Sequence, residues 1–316
     1  MTTPSPPLLI AGSGRSGTTW VLDAIAQANN LRTIFEPLHP IGVPSASQFS
    51  NKHVRKNDDF PELHAFFSSV FSGTFSSLWT DYRIRPDRLK PNLFDLYNVA
   101  ANYKKLLNHY RQYSAEKKRE HCIVKCIRAN LMLGWLHKNF QTRTVLLLRH
   151  PGAVISSKLK LGGQDWLHQQ ALQTYLQDNR LIESCPHGLL QILSRDVSPV
   201  QAHTIIWCIE NMLPISIDGE ESCCLVFYED LITKGESEWR RIAEFFQLDK
   251  IPGQKILRSP SQQASSDMQK DSSSIKRLQK WMDNFTTEDL QQIEELLVFF
   301  NVQHYSAFNP TPLKNS

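Results

Sequence analysis

The chain has 316 residues and a net charge of +4, with 41% hydrophobic and 21% charged residues, the balance of a globular protein with a sizeable core. That composition excludes disordered, collagen-like and disulfide-scaffold classes. A pI near 8.7 falls short of the clustered basic charge of a nucleic-acid binder and suits a smaller anionic ligand.

The elements alternate from the start. "LLIA" (Leu8 to Ala11) reads as a buried strand of a parallel sheet, and a helix from Thr18 to Asn29 follows three glycines. "TIFE" (Thr33 to Glu36) is the second strand. Pro40 to Asn92 then breaks the rhythm: it is rich in Ser, Phe and Pro with little periodicity, an insertion of the kind that forms lids or substrate-binding walls. Strands return at "CIVK" (Cys122 to Lys125), "TVLLL" (Thr144 to Leu148) and "CCLVF" (Cys223 to Phe227). Helical patterns lie between them at Asn130 to Asn139 and at Gly152 to Leu161, where Pro151 fits the first turn.

A longer pattern runs from Pro199 to Pro214, with Ile205, Ile206, Ile209 and Leu213 on one face. Arg258 to Ser274 is polar and serine-rich, either a solvated linker or a loop that covers a ligand. Near the end, the cap-like "TTED" precedes a stripe of Leu290, Ile293, Leu296, Leu297 and Phe300. The expected architecture is α/β: a P-loop-like, doubly wound, mainly parallel five-stranded sheet flanked by helices, in one domain over residues 1–316.

Six cysteines form no C-x-x-C pair and eleven histidines show no zinc spacing, so reduced thiols and no metal are expected. "MTTPSPPLLIAG" lacks the basic start of a signal peptide, and no stretch approaches the ~18 apolar residues of a membrane span. A cytoplasmic location is the expectation.

The first loop carries the chemistry. Gly12, Gly17 and Thr19 stand at the spacing of G-x-x-x-x-G-K-[ST], with Thr18 in the lysine position. A glycine turn before a helix offers backbone N–H groups and the positive dipole end to an anion, and Thr18 and Thr19 add hydroxyls. Without the lysine that reaches β- and γ-phosphates, a β–γ bond is a poor candidate for the reacting bond. Arg15, inside the loop, offers a fork of donors for a phosphate or a developing oxyanion.

"GSGRSGTTW" (Gly12 to Trp20) resembles the 5′-phosphosulfate loop of sulfotransferases that use 3′-phosphoadenosine 5′-phosphosulfate (PAPS), whose residue at the Arg15 position is basic. The second signature of that family, an arginine ending a strand with a serine eight residues on, is matched in "LLLRHPGAVISSK" by Arg149 and Ser157. "TIFEPLHP" and "IVKCIRANL", the latter with Lys125 and Arg128, are similar to segments of carbohydrate sulfotransferases, and "LVFYEDLI" resembles the family's F-Y-E-D-L segment.

The resemblance implies PAPS as co-substrate, held by Gly14, Arg15, Ser16, Gly17, Thr18 and Thr19, with Arg149 and Ser157 on its 3′-phosphate and Trp20 and Tyr228 at the adenine. It implies a hydroxyl-bearing acceptor, a glycan favoured over a small alcohol or phenol, and no metal. Glu36, ending its strand beside the loop, is the favoured general base, although a carboxylate there would equally pair with Arg15 or Lys125. His39 is the rival base. The phenol and steroid branch places a histidine two residues after the lysine matching Lys125, where this chain has Ile127, and this shifts the assignment toward Glu36. Lys125 would donate to the bridging oxygen beside Arg15.

That branch's C-terminal Arg-Lys-Gly is absent, and Ser261 and Ser272 lie in the loop standing in its place. A P-loop kinase, or a nucleotide-binding protein without catalysis, stays open at this point.

Overall fold

Five short apolar segments supply the sheet because β-branched and leucine side chains pack well on a surface covered from both sides. They are β1 (Leu8–Ala11), β2 (Arg32–Phe35), β3 (Cys122–Lys125), β4 (Arg143–Leu148) and β5 (Cys223–Phe227). The order is β2-β3-β1-β4-β5, and every pairing is parallel, with Ile10 opposite both Lys125 and Val145, Phe35 opposite Lys125, and Leu148 opposite Phe227. From β1 the chain fills one side with β2 and β3, then crosses to β4 and β5. The crevice at the carboxyl end of β1 is therefore a topological switch point, where open α/β sheets bind ligands. The computed structural model describes residues 5–86, 103, 107–108, 110–111, 113–161, 168–218, 223–257 and 274–313.

The first helix, α1 (Thr18–Asn29), buries Val21, Leu22, Ala24, Ile25 and Ala26 and ends on left-handed Asn30. The first, third and fifth strands keep their expected bounds, while β2 runs from Arg32 to Phe35. Glu36 falls just past it because its φ of 47° turns the chain out of the ladder, though its N–H still donates to the Lys125 carbonyl at 2.7 Å.

The insertion after Pro40 is more regular than its composition suggests. Within it α2 (Pro61–Phe71) and α3 (Leu78–Tyr82) pack on the β2–β3 side, held by aromatic pairs such as Phe71–Phe140 and Phe35–Trp79 and by the Arg32–Asp81 ion pair at 2.7 Å. Short helices built on aromatic contacts leave little helical period to read. Residues 87–92 lie outside the described residues.

Asn130 to Asn139 divides into a 3-10 turn, Asn130–Met132, and α4 (Leu133–Phe140), because Leu131 is non-helical at φ −84°, ψ 16°. After β4 come α5 (Pro151–Leu161), α6 (His168–Leu176) and α7 (Asn179–Ser184). The long helix α8 (Pro199–Asp218) does not stop at Pro214 but carries it inside, for a reason that emerges at the site. The last helix, α9 (Thr287–Phe299), opens on a Thr286–Asp289 capping box and lays Ile293, Leu296 and Leu297 into the core against α8. Of the serine-rich stretch, 258–273, with Ser261 and Ser272, lies outside the described residues. Among the described residues no helix is long and apolar enough to cross a membrane.

Gly152, in the first turn of α5, faces the Trp281 ring so closely that a Cβ would sit 2.2 Å from it. Trp281 is buried and stacked on His150 with ring centroids 4.3 Å apart, so it has nowhere to go. Gly152→Ala is expected to destabilise the fold by about 1–3 kcal/mol, measured as a lowered midpoint in urea unfolding with an unchanged slope.

Candidate active site

The loop leaving β1 occupies the switch point. Gly17 is the N-cap of α1 in a left-handed conformation, φ 93°, and offers no side-chain cap to the first turn. A Cβ there would meet the Tyr228 ring at 2.8 Å, so glycine serves both the turn and the close approach. Ser13 and Ser16 bond to each other through their hydroxyls at 2.8 Å and are buried, as are Thr18 and Thr19. The result is a rigid turn whose helix-end donors face the crevice, the physical form of an anion cradle.

On the β4 side of this loop the sequence candidates gather. Arg15 turns toward α5 and donates from Nε to Ser157 Oγ at 2.9 Å, while Arg149 Nη1 donates to the Arg15 carbonyl at 3.0 Å. The Arg149 guanidinium lies over the Tyr228 ring at 4.5 Å, a cation–π contact. Tyr228 meets Trp20 edge-on at 5.9 Å, and Trp20 meets Trp239 edge-on at 5.2 Å. Burial, and then the like charge of Arg149, lower the pKa of Arg15. Arg149 Nε is buried without a hydrogen-bond partner among the described residues. Two like-charged arginines at one edge of the loop, with a donor left over, describe a site that attracts an anion.

On the β3 side stands a second cluster. Glu36 is buried and takes the Lys125 ammonium on Oε1, Arg128 Nη1 on Oε2 at 3.3 Å, and the Ile127 N–H at 3.3 Å. It therefore pairs with Lys125 and Arg128, and the Arg15 side chain turns the other way. Burial alone would push the Glu36 carboxyl up, but Lys125 and Arg128 outweigh it, and it stays below the usual carboxylate range. The Lys125 ammonium also lies 4.7 Å above the Phe35 ring. His39 packs on Trp79 at 4.6 Å, and its Nδ1 accepts the N–H groups of Ile41 at 3.2 Å and Gly42 at 3.0 Å.

Three structural supports were not legible as such. Asn130, buried, accepts the Gly12 N–H on Oδ1 at 3.0 Å and donates from Nδ2 to the Glu210 carbonyl at 2.8 Å. That carbonyl is free for it because Pro214, four residues on in α8, has no N–H to give. Glu229 accepts the His150 N–H at 2.9 Å and the Tyr305 hydroxyl at 2.8 Å, fixing the end of β4 next to Arg149. Glu210 itself takes the Tyr175 hydroxyl at 3.0 Å, with the Lys158 ammonium 3.7 Å away. Their signals in the sequence were a proline and a glutamate inside one apolar helical pattern, and the presence of Asn130 and Glu229 in the segments "IVKCIRANL" and "LVFYEDLI".

The sequence profile of the sulfotransferase family matches residues 6–252. The chain belongs to this sulfotransferase family. No curated protein matches the sequence. Among solved structures, this sulfotransferase is similar to the sulfotransferase domain of the curacin biosynthetic pathway, at 14% identity and a TM-score of 0.43 over 94% of this chain and 99% of that one. It is also similar to the sulfotransferase domain of the Synechococcus PCC 7002 olefin synthase, at 16% and 0.45 over 93% and 95% of the chains. A third likeness is to a sulfotransferase from Alicyclobacillus acidocaldarius, at 12% and 0.36 over 94% and 97%.

His150, behind Arg149, is fully buried; its Nδ1 accepts the Gly152 N–H at 3.1 Å and its Nε2 meets the Ser306 carbonyl at 3.0 Å. Burial lowers its pKa from 6.5 to about 4. A folded-state pKa depressed in this way gives stability that is full above pH 6.5 and lost as pH falls toward 4, because the unfolded chain takes the proton first. The loss expected from this one group is about 3 kcal/mol. In urea unfolding at pH 7 and pH 4, His150→Asn should show a drop smaller than that of the unsubstituted protein by about that amount.

Proposed function

We propose that this sulfotransferase moves a sulfuryl group from PAPS to the hydroxyl of a carbohydrate-type acceptor. What carries the reading is the division of the switch point: an uncapped glycine loop with Arg15, Arg149 and Ser157 on one side, and a buried Glu36–Lys125 pair on the other. In this reading the loop amides of Gly14 to Gly17, with Thr18 and Thr19, hold the 5′-phosphosulfate. Arg149 and Ser157 take the 3′-phosphate, and Trp20 flanks the adenine, with Tyr228 beneath Arg149. The orphaned Arg149 Nε fits a ligand carrying a phosphate there.

The step is an in-line displacement. The acceptor oxygen bonds to sulfur as the bond from sulfur to the bridging oxygen breaks; the acceptor proton passes to Glu36, and the electron pair leaves on the phosphate of adenosine 3′,5′-bisphosphate. Lys125 donates to the bridging oxygen as negative charge builds there. The depressed pKa keeps Glu36 ionised at neutral pH, and the acceptor hydroxyl becomes acidic enough to surrender its proton as the new bond forms. His39 is unsuited to this role. Its Nδ1 already accepts two backbone N–H groups, so the neutral ring carries its proton on Nε2 and has no lone pair left there. The "FEPL" and K-x-x-R segments favour the carbohydrate acceptor, and the fold's placement of Thr18 where a kinase keeps its lysine weighs against ATP. The cytoplasm is the proposed location.

Glu36→Gln is expected to lower the transfer rate by about 10²–10⁴-fold while leaving the affinity for adenosine 3′,5′-bisphosphate nearly intact, read by labelled-sulfate transfer and calorimetry. An unchanged turnover would refute Glu36 as base. Arg149→Ala should instead weaken bisphosphate binding by about 10–100-fold, the value of a charge-assisted hydrogen bond. Tight binding of magnesium-ATP with indifference to the bisphosphate would sink the PAPS reading.

A further inference from the structure

A cleft of about 480 Å³ opens between the segment Gln48 to His53, from the insertion after β2, and the segment Thr174 to Leu181, where α6 gives way to α7. Its volume is in the range of small-molecule sites. One wall is tied to the Glu36 cluster and the other to the glycine loop. On one, the Asn51 N–H donates to the carbonyl of Arg128 at 3.1 Å, and Arg128 is the residue whose guanidinium holds Glu36. On the other, buried Tyr175 reaches Glu210 through its hydroxyl, and the Glu210 backbone is held by Asn130, which also holds the glycine loop.

The lining is chemically unusual for an apolar acceptor. Four side-chain amides, Gln48, Asn51, Gln177 and Asn179, line it. The charged groups there are already engaged: Arg180 makes two bonds to Asp58, at 2.7 and 2.8 Å, Asp178 caps the Leu181 N–H at 3.1 Å, and the Lys52 ammonium lies over the Phe60 ring at 4.8 Å. Behind Tyr175, the Glu210 carboxylate takes the Tyr175 hydroxyl and faces the Lys158 ammonium at 3.7 Å.

We propose that this cleft is the acceptor site and that it takes an uncharged polyhydroxylated molecule, a neutral sugar, with the four amides reading its hydroxyls. This rests on the sulfuryl-transfer reading above. Side-chain amides can both donate to and accept from sugar hydroxyls, and a polyanionic glycan would find Arg180 and Lys52 already engaged.

The test pairs two measurements on the full chain. Transfer from PAPS is compared for maltose and lactose, for a chondroitin disaccharide and for 4-methylphenol, and direct binding of the same molecules is followed by saturation-transfer NMR without donor. The neutral disaccharides should be preferred. Gln177→Ala and Asn51→Ala, at partly or fully exposed positions, should each raise the acceptor KM about 3–10-fold, with adenosine 3′,5′-bisphosphate affinity and kcat within twofold. Preference for the anionic disaccharide or the phenol, no engagement of the neutral sugars, or unchanged KM in the amide variants would overturn the cleft. Loss of bisphosphate binding by the unsubstituted protein would sink the donor reading instead, and the NMR comparison of Gln177→Ala with the unsubstituted protein would still decide the cleft.

Discussion

The carboxyl edge of this sheet is organised by one buried side-chain amide. Asn130 joins the first residue of the glycine loop to a helix carbonyl that Pro214 leaves without a donor. Remove the proline's effect and that carbonyl closes its own helical bond; remove the amide and two buried backbone groups lose partners, each costing about 1–3 kcal/mol. The helix α8 thus gives up one internal bond, and the loop gains a fixed origin.

Around that fixed loop the electrostatics divide cleanly. On the β4 side the charges are like, with Arg149 bonded to the Arg15 carbonyl and lying over the Tyr228 ring, an arrangement that an anion completes. On the β3 side the charges are opposite and already satisfied, with Glu36 gripped by Lys125 and Arg128. In the proposed reaction the first side waits for the donor's phosphates, and the second holds an ionised base and a proton donor in readiness. One glycine loop lies between them, which is how a short segment of chain serves both halves.

Much of this was readable from local pattern. Runs such as "CIVK" and "CCLVF" matched their strands to the residue, because buried parallel strands leave an unmistakable apolar signature. Glu36 was expected inside its strand and stands one residue beyond, since a left-handed φ depends on what the side chain and N–H can bond to across the sheet. Pro214 was expected to end its helix, as it would on propensity alone. That His39 Nδ1 accepts two backbone N–H groups is something no spacing rule can see.

By itself the sequence determined the strand–helix alternation, the glycine loop and the identity of the residues at the strand ends, because each of these follows from neighbours along the chain. Only the tertiary structure decided partners. That Arg15 leans to Ser157 and not to Glu36, that Asn130 answers a carbonyl opened by Pro214, and that Tyr175, on the wall of a cleft, reaches Glu210 all join residues between 35 and 142 positions apart. Such pairings are set by strand order and by the satisfaction of buried polar groups, which exist only once the sheet has closed.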